Sequence, residues 1–343
     1  MLADYNDYLL EQLERLSTIP SPSGFFDRIE EYLLNEIRSM GFDITKLNKG
    51  GLRYCLGGVG EPVMLMAHAD TLGAQVKEIK PDGRLKVVRV GGLNPNNIEN
   101  ENVTVHTKFN GTYEGTLMFV NASTHVNDNY NVLRAFESNL ELVLDKLVST
   151  KNEREKLGIR NGDFVSVHPR FIRSTDGYIK SRFLDDRIGV AILLAFSKYV
   201  ADNHVPLKRK VYIGFTVYEE VLHGGGAGIP DDAVELLGVD MGCVGEGLEC
   251  KEHQVSICVK DSHGPYNYEV TDRLVSLAGK HKLDYALDVY PFYGSDADAA
   301  LDAGYDLRHG LIGAGVYASH GYERSHVKGA ENTLKLVMGM SVK

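Results

Sequence analysis

The chain of 343 residues has no tryptophan, only ten prolines and four cysteines, and no long apolar run. A membrane-spanning helix needs about 18 to 20 consecutive apolar residues. The best stretch here, Ile188 to Phe196, is nine residues long and contains Gly189. Positive charge is also scarce: 37 Lys and Arg stand against 47 Asp and Glu, a net charge of −10. That balance removes the diffuse electrostatic grip by which proteins hold nucleic acid or anionic membranes, so neither is expected as a partner. Cys55, Cys243, Cys250 and Cys258 lack C-x-x-C spacing, and a chain of this length does not need disulfide staples. Reduced thiols are expected. The first residues, Met1 to Asp7, show no basic region leading into an apolar one, and a cytoplasmic location is expected.

What is present is a globular composition, with 43% AVILMFWYC, 24% charged residues, 36 glycines and twelve histidines. Length suggests roughly two domains. Tyr8, Leu9, Leu13 and Leu16 fall on a helical period before the break at Pro20 to Gly24, and Ile29, Leu33, Ile37 and Met40 repeat similarly up to Gly41. Short strands are predicted at 43–47 and 51–56, and Val63 to Ala67 reads as a fully buried strand. From about Gly73 to Arg173 the texture becomes short β-like runs separated by Gly and Asn, among them 76–79, 85–90, 103–106 and 117–120. A capping box at Thr150 and Glu153 marks one short helix ended by Gly158. Helix and strand patterns then alternate again: helices at 186–200, 267–280 and 330–338, and apolar strands at 210–217, 234–239 and 254–259. The simplest architecture is one α/β domain (1–72 and 174–343) interrupted by a β-rich insertion (73–173).

Acidic and imidazole side chains gather just past the apolar strands, where open α/β sheets place their ligand crevices. His68 and Asp70 follow the 63–67 strand at a spacing of two, which sends both side chains to one side of an extended backbone. They either cap a strand end or form a ring-nitrogen ligand and its hydrogen-bonding partner. Asp185-Asp186 stand at a helix start, as an N-cap with a favourable helix-dipole charge or as ligands. Glu219-Glu220 follow another apolar strand and repel each other; a cation on one relieves the repulsion and leaves the other as a general base. Asp240 ends a further apolar run, and His320 and His326 lie in one loop before the last helix. This His, Asp, Glu, Asp, His set suits Zn²⁺ or Co²⁺, and five ligands fit two ions that share one carboxylate.

In these motifs, Ala67-His68-Ala69-Asp70, Leu184 to Gly189, Glu219-Glu220, Val239-Asp240, Gly294-Ser295-Asp296-Ala297 and the His320 loop, the chain resembles the tetrahedral (TET-type) aminopeptidases of metallopeptidase family forty-two, which include glutamyl and deblocking enzymes. The resemblance runs through essentially the whole chain in family order. It implies a mixed-sheet, three-layer α/β/α metallopeptidase domain interrupted by a smaller, barrel-like β domain that serves oligomerisation and substrate access. It further implies that Asp185 bridges two divalent ions, Zn²⁺ or Co²⁺. One ion would be held also by His68 and Asp240, the other by Glu220 and His320. Asp70 would orient His68, and Glu219 would take a proton from a water shared by the ions as N-terminal residues are removed from short peptides. Ser295 and Asp296 would shape the substrate pocket. The implied assembly is a homo-oligomer, from dimer to dodecamer. Thr71 stands where the family commonly has Glu, His223-Gly224 where it has Arg-Gly, and His320 and Glu323 are one residue closer than usual. These features resemble a divergent branch associated with an N-acetylated dipeptide-amide osmolyte, for which the alternative is an amidase or deacylase acting on a small modified dipeptide.

Overall fold

The computed structural model describes residues 2–342; Met1 and Lys343, at the outer ends of the expected first domain, lie outside the described residues. The chain divides into two compact units, one formed by the residues up to Asp70 together with those from Arg170 onward, the other by Thr71–Pro169. In chain order the first unit begins with α1 (Leu2–Ser17), α2 (Asp27–Ser39), β1 (Ile44–Lys46), β2 (Leu52–Gly57) and β3 (Val63–His68). The predicted helical periods bury Leu9, Leu13 and Leu16 of α1 and Ile29, Leu33 and Ile37 of α2. All six residues of β3 are buried, because parallel strands flank it on both edges.

The second unit holds β4 (Gly73–Ile79), β5 (Leu85–Val90), β6 (Asn102–His106), β7 (Thr112–Phe119), β8 (Leu140–Leu144), α3 (Lys151–Lys156) and β9 (Phe164–Val167). Its strands close into a barrel in the order β4-β5-β8-β7-β6-β9. Closure leaves no unpaired sheet edge in a unit of about a hundred residues. The Thr150 and Glu153 capping box starts α3.

The first unit resumes with β10 (Ile172–Arg173), β11 (Tyr178–Ser181), α4 (Leu184–Asn203), β12 (Val211–Thr216), β13 (Glu235–Val244), β14 (Val255–Lys260), α5 (Tyr268–Lys280), β15 (Tyr285–Val289), α6 (Asp296–Asp302), β16 (Arg308–Tyr317), β17 (Glu323–His326) and α7 (Val327–Ser341). Its eleven strands form one mixed sheet whose central path is β1-β2-β12-β3-β13-β16-β17-β11-β10. The period of two in β3 sorts side chains to opposite faces. Leu65 and Ala67 join the core built with α1, α2, α4, α5 and α7. Met64 and Met66 pack with Leu236, Leu311 and the α6 residues Ala297 and Ala300. This is a three-layer α/β/α unit, and β3, β12, β13 and β16 run parallel at its centre.

Candidate metal centre

His68 is the last residue of β3, Asp185 opens α4, Glu219 and Glu220 sit in a single 3₁₀ turn after β12, Asp240 lies in β13, and His320 lies between β16 and β17. Five segments separated in sequence thus deliver side chains to one crevice of the first unit. Local backbone shape does much of the aiming. Phe183, Tyr218, Leu222 and His320 all adopt positive φ, turning the chain sharply on either side of the functional carboxylates, an arrangement that non-glycine residues adopt rarely and mostly at sites.

His68 is 1% exposed. Its Nδ1 lies 3.1 Å from the Asp70 carbonyl, which fixes that nitrogen as the donor and leaves Nε2 facing the cluster. Nε2 is 3.0 Å from Asp185 Oδ1, 3.6 Å from Glu219 Oε2 and 4.0 Å from Asp240 Oδ2. On the other side of Asp185, Oδ2 is 3.5 Å from His320 Nε2, which is 3.6 Å from Glu220 Oε2. Two triads follow, His68-Asp185-Asp240 and Asp185-Glu220-His320, each with ligand atoms within 4.8 Å of one another. They share Asp185.

The electrostatics are those of a site short of positive charge. Burial, then the charge of Asp185, pushes Asp240 up to about 7. Burial likewise raises Glu219 and Glu220 well above the ordinary carboxylate range, reinforced at Glu220 by Asp185 and at Glu219 by Asp240 and Asp296. Burial would lower His68, but Glu219, Asp185 and Asp70 outweigh it and hold the ring's affinity for protons well above normal. Glu220 Oε1 is buried with no hydrogen-bond partner among the described residues. A buried, partnerless carboxylate oxygen beside another carboxylate and an imidazole nitrogen is what a divalent cation would satisfy. The donor set therefore fits metal.

The backbone carbonyl of Asp70 accepts from His68 Nδ1, with the Asp70 carboxylate 3.6 Å from the same nitrogen, and that carboxylate has further partners. It accepts from the Ser23 hydroxyl at 2.5 Å and from the N–H groups of Glu219 at 3.2 Å and Glu220 at 3.4 Å, so it holds the 3₁₀ turn in place. Two further residues make backbone hydrogen bonds that the sequence did not assign to them. Asp186 accepts the N–H of His68 and that of Gly189. Glu323, 2% exposed, accepts the N–H of Asp185 at 3.1 Å and of His320 at 3.0 Å. Its spacing from His320 was the available signal. His326 lies away from the cluster: its ring caps α7 by accepting from the Lys328 N–H, and its other nitrogen donates to the Asp176 carbonyl.

Next to the triads opens a cavity of about 480 Å³, lined also by Leu222, Met241, Cys243, Phe292 and Tyr293. Ser295 and Asp296 line a smaller hollow beside it. Ser295 is the N-cap of α6, and the Asp296 carboxylate accepts from the Thr216 hydroxyl and from the Gly225 N–H.

A mixed-sheet α/β unit with a buried cluster of imidazoles and carboxylates at the ends of its parallel strands defines the class of metal-dependent hydrolases. Comparison with known proteins narrows the class. The M42 glutamyl aminopeptidase family model matches residues 50–336, and the chain belongs to this family of metal-dependent aminopeptidases. It is 42% identical over 330 residues to the Bacillus subtilis (strain 168) protein named "Putative aminopeptidase YhfE", covering 96% of this chain and 95% of that one. It is 26% identical to the glutamyl aminopeptidase of Lactococcus lactis subsp. cremoris (strain MG1363), over 62% of this chain and 60% of the relative. Among solved structures, the TET1 peptidase of Pyrococcus horikoshii, which assembles into a tetrahedron or a large octahedral shell, shares the fold with a TM-score of 0.87 at 23% identity, over 98% of this chain and 99% of that one. The TET aminopeptidase of the marine sediment archaeon Thaumarchaeota archaeon SCGC AB-539-E09 gives 0.87 at 19% identity, over 97% and 96% of the two chains.

Proposed function

We propose that the chain is an aminopeptidase that removes N-terminal residues from short peptides at a centre of two divalent ions, Zn²⁺ or Co²⁺, held by His68, Asp240, Glu220 and His320 with Asp185 shared between them. The observation that carries this reading is the pair of triads meeting at Asp185. Two cations at such a site supply a water of lowered pKa and stabilise the oxyanion of the tetrahedral intermediate. The side chains do the rest. Glu219, beside His68 and lining the cavity, accepts the proton of the attacking water and passes it to the departing amine, a role its raised proton affinity suits. Asp70 keeps Glu219 and Glu220 on their turn through both backbone N–H groups. The likeness to TET assemblies supports a homo-oligomer, with the 73–173 insertion serving assembly and substrate access, and four free cysteines are consistent with a reducing cytoplasm.

The test is Glu219→Gln. Turnover of aminoacyl-anilides is expected to fall by about 10² to 10⁴, the worth of a general base, with two divalent ions per chain and an unchanged fold; full activity sinks the assignment. Hydrolysis of N-acylated dipeptides in preference to substrates with a free amine would replace the aminopeptidase with the amidase reading. Light scattering on the purified chain reads the oligomer directly.

A further inference from the structure

We propose that the cavity beside the triads is a specificity pocket for a neutral, apolar or aromatic N-terminal side chain and that it rejects acidic ones; the proposal rests on the aminopeptidase reading and names its substrate class. The cavity is lined by Asp185, Glu220, Asp240 and His320 and by Glu219. Leu222, Met241, Cys243, Phe292 and Tyr293 also line it, together with His263. Phe292 is 95% exposed and Leu222 is 77% exposed, the latter in a left-handed conformation. Large apolar side chains standing in water beside a cleft with convergent polar groups are the mark of a ligand surface.

Charge decides between substrate classes. None of the lining residues is Lys or Arg, and the imidazole outside the ligand set is His263, so an acidic side chain entering here would lose its water and face the existing carboxylates without a permanent positive charge to pair with. The basic residues on neighbouring segments are committed elsewhere. Lys49 donates to the carbonyls of His223 and Gly224, Lys260 to that of Asp261, and Arg187 to those of Ala69 and Ile19. A basic side chain fares no better. The adjoining hollow has the acidic residues Asp296, Asp298 and Asp302 on its wall, but its space of about 20 Å³ admits about one water. Moreover, Asp296 already accepts from Gly225 N–H and Asp298 from the N–H and hydroxyl of Ser295. What remains is a neutral occupant, and the cavity has room for a leucine or phenylalanine side chain.

The metal-loaded enzyme is assayed on leucyl-, phenylalanyl-, glutamyl- and lysyl-p-nitroanilide, and binding of free leucine and glutamate to metal-loaded Glu219→Gln protein is measured by calorimetry. kcat/KM for the leucyl and phenylalanyl substrates is expected to exceed that for the glutamyl and lysyl ones by at least roughly tenfold, the scale on which apolar pockets discriminate. Phe292→Lys is expected to lower the first two and raise the glutamyl value, with metal content unchanged; Leu222→Lys, on the other exposed part of the wall, does the same if the first variant folds poorly. A glutamyl or lysyl preference in the parent enzyme, or a ranking unmoved by both variants, overturns the proposal. If no anilide is cleaved, the aminopeptidase reading fails, and the pocket stands or falls on calorimetry alone: leucine binding tighter than glutamate supports it, and the reverse removes it.

Discussion

The residues that touch no metal decide how well the ligands are placed. Glu323 links Asp185 and His320 through their backbone N–H groups, tying together the start of α4 and the loop after β16. Burial and the charge of Asp185 raise its carboxyl to about 8, so the link comes without a full negative charge near neutrality. Removing such a support typically costs 10- to 100-fold in metal affinity. Glu323→Ala is therefore expected to weaken Co²⁺ binding by about that factor, read by the visible absorption of the Co²⁺ form during titration, with Glu323→Gln recovering part of it. The two histidines of this loop separate in the same assay. His320→Ala should remove one of two ions, whereas His326→Ala should leave both ions and lower stability by about 1 kcal/mol, the value of a lost helix cap. Loss of an ion on His326→Ala would reverse the assignment.

At the scale of elements, the stretches with clean periodicity were the legible ones. The heptad-like spacing of α1 and α2, the unbroken apolar run of β3 and the capping box of α3 all appear where sequence places them. β15, α6, β16 and β17 were not anticipated. In β16 the pattern Arg308 to Tyr317 is diluted by Gly310, Gly313 and Gly315, and these glycines are there for packing: a Cβ on Gly313 would run into the Asp240 carbonyl of the paired strand β13. Close approach of backbones erases the very side-chain signal that reveals a strand. The metal candidates were legible because carboxylates after apolar strands are unusual, while Glu323 and Asp186 act on backbone groups and leave little trace. Gly189 in α4 shows the same economy. A Cβ there would strike the Val239 carbonyl and the Asp186 carboxylate, and Asp186 in turn accepts the His68 N–H. Gly189→Ala is expected to destabilise the fold by about 1–3 kcal/mol, seen in chemical denaturation, and to weaken metal binding through His68. An unchanged midpoint would show that α4 can shift without cost.

For the whole molecule, the concentration of buried acid in one crevice couples folding to pH and to metal. Unfolded Asp, Glu and His titrate near 3.9, 4.3 and 6.5. In the metal-free fold Asp240 is raised to about 7 and Glu323 to about 8, Glu219 and Glu220 are raised well above normal, and His68 is raised as well. Between those unfolded values and the folded ones the native state holds more protons than the unfolded chain, so the stability of the metal-free protein falls as pH rises from about 4 to 8. Metal binding has the opposite sign. Cations take the place of those protons, so their affinity, and the stability they add, grow over the same range. Melting curves of chelator-treated protein should show a midpoint that drops steadily between pH 5 and pH 8, and Zn²⁺ or Co²⁺ should restore it by an amount that increases with pH, reaching about 2.7 kcal/mol when free metal is a hundredfold above its dissociation constant. A metal-induced gain that is flat across this range would mean that these four carboxylates and His68 do not exchange protons for cations, and the shared-ligand arrangement at Asp185 would lose its physical basis.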